Sequence, residues 1–139
     1  MKLLKLVILA LNLFILPIYA QTVQFNIEAV QHNNGKLFVQ LFQGEDNYKK
    51  GKVYDNTVVN AQKGNVSVTF NDVAPGDYAI RFFHDENDNG SLDTNILSIP
   101  VEGYGFSNDA PARFGPPSYS EMAFAVADSP VINTSKVNY

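Results

Sequence analysis

Apolar and polar residues alternate with a period of two along four separate segments of this 139-residue chain. Val23, Phe25, Ile27 and Ala29 alternate with Gln24, Asn26 and Glu28; Lys36–Phe42 reads KLFVQLF; Val66, Val68 and Phe70 alternate with Ser67 and Thr69. Tyr78, Ile80, Phe82 and His84 share one face of a fourth segment, with Ala79, Arg81 and Phe83 on the other. Successive side chains of a strand point to opposite faces, so this period marks half-buried strands. No stretch holds a period of 3.6 over ten positions. The segments are separated by turn residues: Asn33-Asn34-Gly35, which suits a hairpin, and Pro75-Gly76. Val53–Ala61 reads as a short edge strand, Ile96–Val101 as another short strand, Met122–Ala127 as a late strand and Val131–Val137 as the last. Gly44–Gly51 is polar and reads as a loop. Short strands at close spacing imply an all-β fold, an immunoglobulin-like or transthyretin-like Greek-key β-sandwich. Tyr78, directly after Pro75-Gly76, is expected to pin a corner by hydrogen-bonding back to the backbone.

The first 20 residues have the pattern of an export signal. Lys2 and Lys5 precede an apolar run from Leu6 to Leu16, then Pro17 and a small Ala20 before Gln21. The run is shorter than the roughly 20 residues that span a bilayer, so no stable membrane insertion is expected after cleavage. The expected location is periplasmic or secreted. Residues 21–139 then form a single domain. The chain has no cysteine, so no disulfide supports it. Without Lys2 and Lys5 there remain eight basic against fourteen acidic residues, a net charge of −6. With only two arginines and that balance, nucleic acid is excluded as a partner, because phosphate binding needs a basic face.

The densest chemistry lies in HDENDNGSLDTN, from His84 to Asn95. Asp85, Asn87 and Asn89 alternate, Gly90 follows, and Asp93 comes three residues later. This matches the first nine positions of a calcium loop, in which alternate oxygen-bearing side chains of a tight turn point inward together. The predicted metal set is Asp85, Asn87, Asn89 and Asp93 through side chains and Ser91 through its carbonyl. Position twelve would be Ile96 rather than a bidentate glutamate, so the loop is not a helix–loop–helix hand, and Asn95, Glu102 or Asp109 is expected to supply the missing ligand. The bland alternative is an Asx-rich turn without metal. Against it, Asp85, Glu86, Asp88 and Asp93 repel one another unless a cation lies among them.

His84 reads as a strand-end histidine that orders the loop by hydrogen bonding. The other histidine, His32, sits in a distant turn, and nothing in the sequence brings the two together. No Gly-x-Ser-x-Gly elbow surrounds Ser107, Ser118 or Ser120. Gly103–Tyr119 is rich in aromatics, glycine and proline, and reads as an ordered loop packed on the sandwich. Its Tyr104, Phe106, Arg113, Phe114 and Tyr119 are candidates for a ligand-binding surface, or else close one end of the core.

The segments VAPGDYAIRFFHDENDNGSLDTN, IPVEGYGFSNDA and RFGPPSYSEMAFAV, in one block from Val73 to Val126, together with the upstream GKLFVQLF, resemble the bacterial family catalogued as domain of unknown function 2141. The resemblance implies an exported single domain of the sandwich type. It implies no catalytic residues. The functional expectation is therefore a calcium-stabilised β-sandwich acting as a binding or structural module, for a protein, peptide or carbohydrate ligand. Two alternatives stand beside it: a secreted hydrolase using Glu102, Asp109 or His84, and a carrier of a small apolar ligand between the sheets.

Overall fold

A computed structural model describes residues 19–139; the expected signal segment, but for its last two residues, lies outside the described residues. In chain order the elements are β1 (Gln21–Val30), β2 (Lys36–Gln43), α1 (Glu45–Lys49), β3 (Asp55–Asn60), β4 (Gly64–Val73), β5 (Gly76–Asp85), β6 (Tyr104–Phe106), α2 (Tyr119–Met122), β7 (Phe124–Val126) and β8 (Val131–Lys136). The protein is mostly β, and two sheets face each other in a sandwich-like arrangement. One sheet has the order β4-β1-β8, with β1 antiparallel to β4 and parallel to β8. The other has the order β3-β2-β5-β6. The far edge of β5 is shared: Arg81–Phe83 pair with β6 and Gly76–Tyr78 pair with β7. Among the described residues no helix is long and apolar enough to cross a membrane.

The period-two segments become the inner faces. Val23, Phe25 and Ile27 of β1 and Val68 and Phe70 of β4 meet Leu37, Val39 and Leu41 of β2 and Tyr78, Ile80 and Phe82 of β5. Phe25 and Phe82 meet edge to face with ring centroids 5.5 Å apart. Each such fully buried side chain contributes about 1.5–3 kcal/mol relative to exposure. Tyr78 is fully buried, and its hydroxyl donates to the Ala74 carbonyl at 2.7 Å. The Tyr54 hydroxyl accepts the Ala74 N–H at 3.2 Å, so two phenols hold the Ala74–Gly76 turn.

Five expectations change. The Asn33–Gly35 turn makes no hairpin, because β1 and β2 belong to different sheets and the turn carries the chain across the sandwich. Ala29 does not continue the buried face of β1. A bulge between Ile27 and Val30 gives it φ +61° and turns it to solvent, and Val30 takes the inward place. Gly44–Gly51 contains one helical turn, α1. Ile96–Val101 is not a strand; its only ladder contact is an isolated Thr94–Pro100 bridge, and its apolar side chains are exposed. Gly103–Tyr119 begins as strand β6, because Tyr104–Phe106 complete the edge that β5 would otherwise expose.

A second, smaller apolar cluster lies on the outer face of the β5 sheet. Ala79, Phe106, Ala110 and Met122 are buried there, with Tyr48, Tyr104 and Tyr119 packed against them. That outer layer is built by α1, β6 and the segment from β6 to α2.

Candidate functional site

The loop after β5 is organised by carboxylates that accept backbone N–H groups. Asp85 is buried, and its two oxygens accept the N–H groups of Asn89 at 3.1 Å and Gly90 at 2.8 Å. Gly90 has φ +82° and makes the bend that a β-carbon would strain. Asn89 Oδ1 accepts the Ser91 N–H at 2.9 Å and its hydroxyl at 3.1 Å. The Asn87 amide donates to Asp93 at 2.6 Å, and the Asn89 amide donates to both Asp93 oxygens at 2.9 and 3.0 Å. Asp93, Asn87 and Asn89 are thus in mutual contact, and Asp85 holds the same turn from beneath through the Asn89 N–H.

The side chains of this turn are of the oxygen-bearing type a hard cation takes, while both Asp85 oxygens here accept backbone N–H groups. Every side-chain donor is an oxygen or an amide that presents its oxygen after a half-turn about its terminal bond. Asp85, Asn87, Asn89 and Asp93 would hold calcium, with Ser91 contributing its carbonyl; the ion would supply charge neutralisation and a fixed loop shape. The three residues expected to complete the set have other work. Glu102, buried, accepts the N–H of Glu86 at 2.8 Å with one oxygen and that of Asp93 at 2.9 Å with the other. It staples the two ends of the loop. Asn95 Oδ1 accepts the N–H groups of Leu97 and Ile99. Asp109 accepts the Lys136 N–H at 2.9 Å and so fastens the segment after β6 to β8.

The histidines do meet. The β2–β5 ladder pairs Lys36 with Asp85, which carries the His32–Gly35 turn to the end of β5. The rings of His32 and His84 lie 4.7 Å apart. Gly35, at φ +72°, abuts the Asp85 carbonyl so closely that a β-carbon would overlap its oxygen. His84 is fully buried. Its Nε2 lies 2.6 Å from the Asn34 carbonyl, which can only accept, so Nε2 carries the proton and Nδ1 accepts the Tyr139 hydroxyl at 2.7 Å. His32 Nε2 lies 2.9 Å from Glu86, whose other oxygen accepts the Gly103 N–H.

Of the five residues expected to form a ligand surface, four line one feature. Tyr104, Phe106, Arg113 and Phe114 border a cleft of about 840 Å³ on the outer face of the β5 sheet. Arg81, Phe83, Tyr104 and Phe106 form its floor, since the register sets Arg81 opposite Phe106 and Phe83 opposite Tyr104. Phe38 stacks on Phe83 with ring centroids 4.9 Å apart and backs it from the neighbouring strand. One wall is Leu92, Leu97, Ile99 and Pro100; the other runs from Ala112 to Pro116. Leu97 is 72% exposed and Phe114 fully exposed, so the cleft is open to solvent. Tyr119 lies elsewhere. It packs on Tyr48 with centroids 6.0 Å apart and donates to the Asp77 carbonyl at 3.2 Å, beside the β5–β7 pairing.

Arg81 donates through Nε to Gln40 at 2.8 Å and lies 4.9 Å above the Phe42 ring. Arg113 pairs with Glu121 at 3.3 Å. Ser107 is buried between the Ile80 N–H and the Met122 carbonyl, a packing role that leaves its hydroxyl no nucleophilic freedom. Ser118 and Glu121 form the capping box of α2, and the bonds from Ser118 hold the Glu121 carboxyl below its ordinary value. The apolar wall was hidden in the sequence because Ile96, Leu97, Ile99 and Val101 read as the inside of a strand. Only the turn at Asn95 and the Thr94–Pro100 bridge send them outward.

No curated protein and no solved structure matches the chain. The family described as an uncharacterized protein conserved in bacteria (DUF2141) matches residues 25–133, which include both faces of the sandwich, the Asp85–Asp93 loop and the segment that forms the cleft. The chain belongs to that family.

Proposed function

We propose that this protein is an exported binding module whose Asp85–Asp93 loop takes calcium and thereby shapes a cleft for the apolar side chains of a peptide or protein partner. The observation that carries this reading is the cleft itself: an aromatic floor of Phe83, Tyr104 and Phe106 between two apolar walls, open along its length. Leu92 belongs both to the loop and to the cleft wall, so ordering of the loop bears directly on the wall. Few hydrogen-bonding groups line the cleft besides Arg81, Thr94, Ser98 and Arg113, which favours an apolar peptide over a carbohydrate. Its openness favours peptide binding over a sealed carrier cavity. The carboxylates a hydrolase would need, Glu102 and Asp109, each accept backbone N–H groups, which also favours binding. The crossings from β1 to β2 and from β4 to β5 between sheets, with the corner tyrosine, support a Greek-key sandwich of the immunoglobulin-like or transthyretin-like type.

The test is a titration with 1-anilinonaphthalene-8-sulfonate, an apolar aromatic anion, at saturating calcium and with chelator. Fluorescence should rise on binding to the folded protein, rise more with calcium, and fall sharply in Leu97→Asp. A signal unchanged by Leu97→Asp would remove the cleft as the site. A signal indifferent to calcium would separate the loop from the cleft.

A further inference from the structure

We infer that His32, His84 and Glu86 form a second metal site, distinct from the Asp85–Asp93 loop, that takes a borderline transition dication of the zinc class. One donor atom from each of the three lies within 4.8 Å of the others. Around a tetrahedral ion with metal–nitrogen bonds of about 2.0–2.1 Å, donors stand roughly 3.3 Å apart, so closure needs a contraction of at most about 1.5 Å, and the His32–Glu86 pair at 2.9 Å needs none. The elements that would contract are known. His84 is fixed at the end of β5 by its Nε2–H bond to Asn34, which leaves Nδ1 as its one lone-pair nitrogen. Glu86 is tethered through its other oxygen by the Gly103 N–H. His32 stands in a turn and is about a third exposed, so its ring can swing.

A second observation is independent of the clustering. Nδ1 of His32 is buried yet has no hydrogen-bond partner, alone among the buried side-chain polar atoms of the described residues. A buried polar atom without a partner costs free energy, and a ligand is one way to satisfy it. Two imidazoles and a carboxylate suit zinc or copper rather than calcium, which prefers oxygen alone. The bond a metal would displace at His84 is that of the Tyr139 hydroxyl, which also accepts the Gln31 N–H at 3.1 Å and would keep that partner. Asp85 and Glu86 and the acidic balance of the chain favour a cation here. Sequence reasoning missed this site because 51 residues separate its histidines, and only the β2–β5 register unites them.

The test uses untagged protein saturated with calcium, titrated with zinc chloride by calorimetry and by ¹⁵N–¹H spectra of the imidazole rings. The chain has only two histidines, so the spectra assign themselves to His32 and His84. One zinc per chain should bind, and the nitrogen shifts of both rings should move together. His32→Ala should weaken binding at least tenfold, and Glu86→Gln, which keeps the side chain's size, should weaken it as well. Asp93→Asn, in the calcium loop, should leave it unchanged. Absence of a zinc isotherm, stationary imidazole shifts, or loss of zinc in Asp93→Asn but not in His32→Ala would each overturn the inference. The calcium response of Asp93→Asn, measured separately, keeps failure of this site distinct from failure of the loop.

Discussion

Single residues carry much of this architecture, and they do so through backbone groups. Tyr78 was readable in the sequence from Pro75-Gly76, and its hydroxyl reaches the Ala74 carbonyl. Tyr78→Phe leaves that buried carbonyl one partner short and should cost about 1 kcal/mol, read as a lower melting midpoint. An unchanged midpoint would mean that water serves equally well. Gly35 was legible only as half of an Asn-Gly turn. The structure adds that at φ +72° a β-carbon on this residue would overlap the Asp85 carbonyl oxygen. Gly35→Ala should therefore destabilise by about 1–3 kcal/mol, more than an ordinary turn glycine, and denaturant melts at fixed calcium will read it. Glu102 shows why residue type alone misleads. It looked like a candidate metal ligand, but it spends both oxygens on backbone N–H groups at the two ends of the loop.

At the scale of the element, the Asp85–Asp93 loop is where the central prediction lies. Two charged ligands and no glutamate at position twelve imply a dissociation constant of about 10⁻⁴–10⁻³ M, the range of extracellular modules. At calcium about ten times that constant, stabilisation should be roughly 1.4 kcal/mol, a rise of a few degrees in melting temperature. Asp93→Ala should abolish the rise, and magnesium should produce less of it, because it demands a tighter octahedral cage. A melting temperature that ignores millimolar calcium would leave the loop an acidic turn. The residues that gather in this turn were legible because alternate spacing and Gly90 are local properties. The wall of the cleft was not: 96–101 has the composition of a strand, and only its Asn95 turn and lack of a partner strand expose it.

For the molecule as a whole, burial of phenols links stability to alkaline pH. Desolvation raises the Tyr78 hydroxyl far above the ordinary phenol value of about 10, and raises Tyr48, Tyr119 and Tyr139 in the same direction. The folded state thus holds the protonated phenols more tightly than the unfolded chain does. This contribution is fully present below pH of about 10 and is lost as pH rises through the folded values. Denaturant melts at pH 8 and pH 11 should show lower stability at the higher pH, and Tyr78→Phe should reduce that difference; equal stabilities would contradict it. The sequence by itself determined the class of structure, because the period-two alternation of Val23–Ile27, Lys36–Phe42, Val66–Phe70 and Tyr78–His84 leaves a strand one face to bury and so requires a second sheet. It also determined which residues gather in the Asp85–Asp93 loop, since they are neighbours in the chain. Only the tertiary structure decided what meets across distance. The register Lys36↔Asp85 brings His32 to His84, the pairing of β6 with β5 lays Tyr104 and Phe106 beside Phe83 and Arg81, and β8 joins β1 in parallel. Those contacts arise from strand pairing between segments far apart in the chain, and pairing is selected by the burial of whole faces rather than by any local signal.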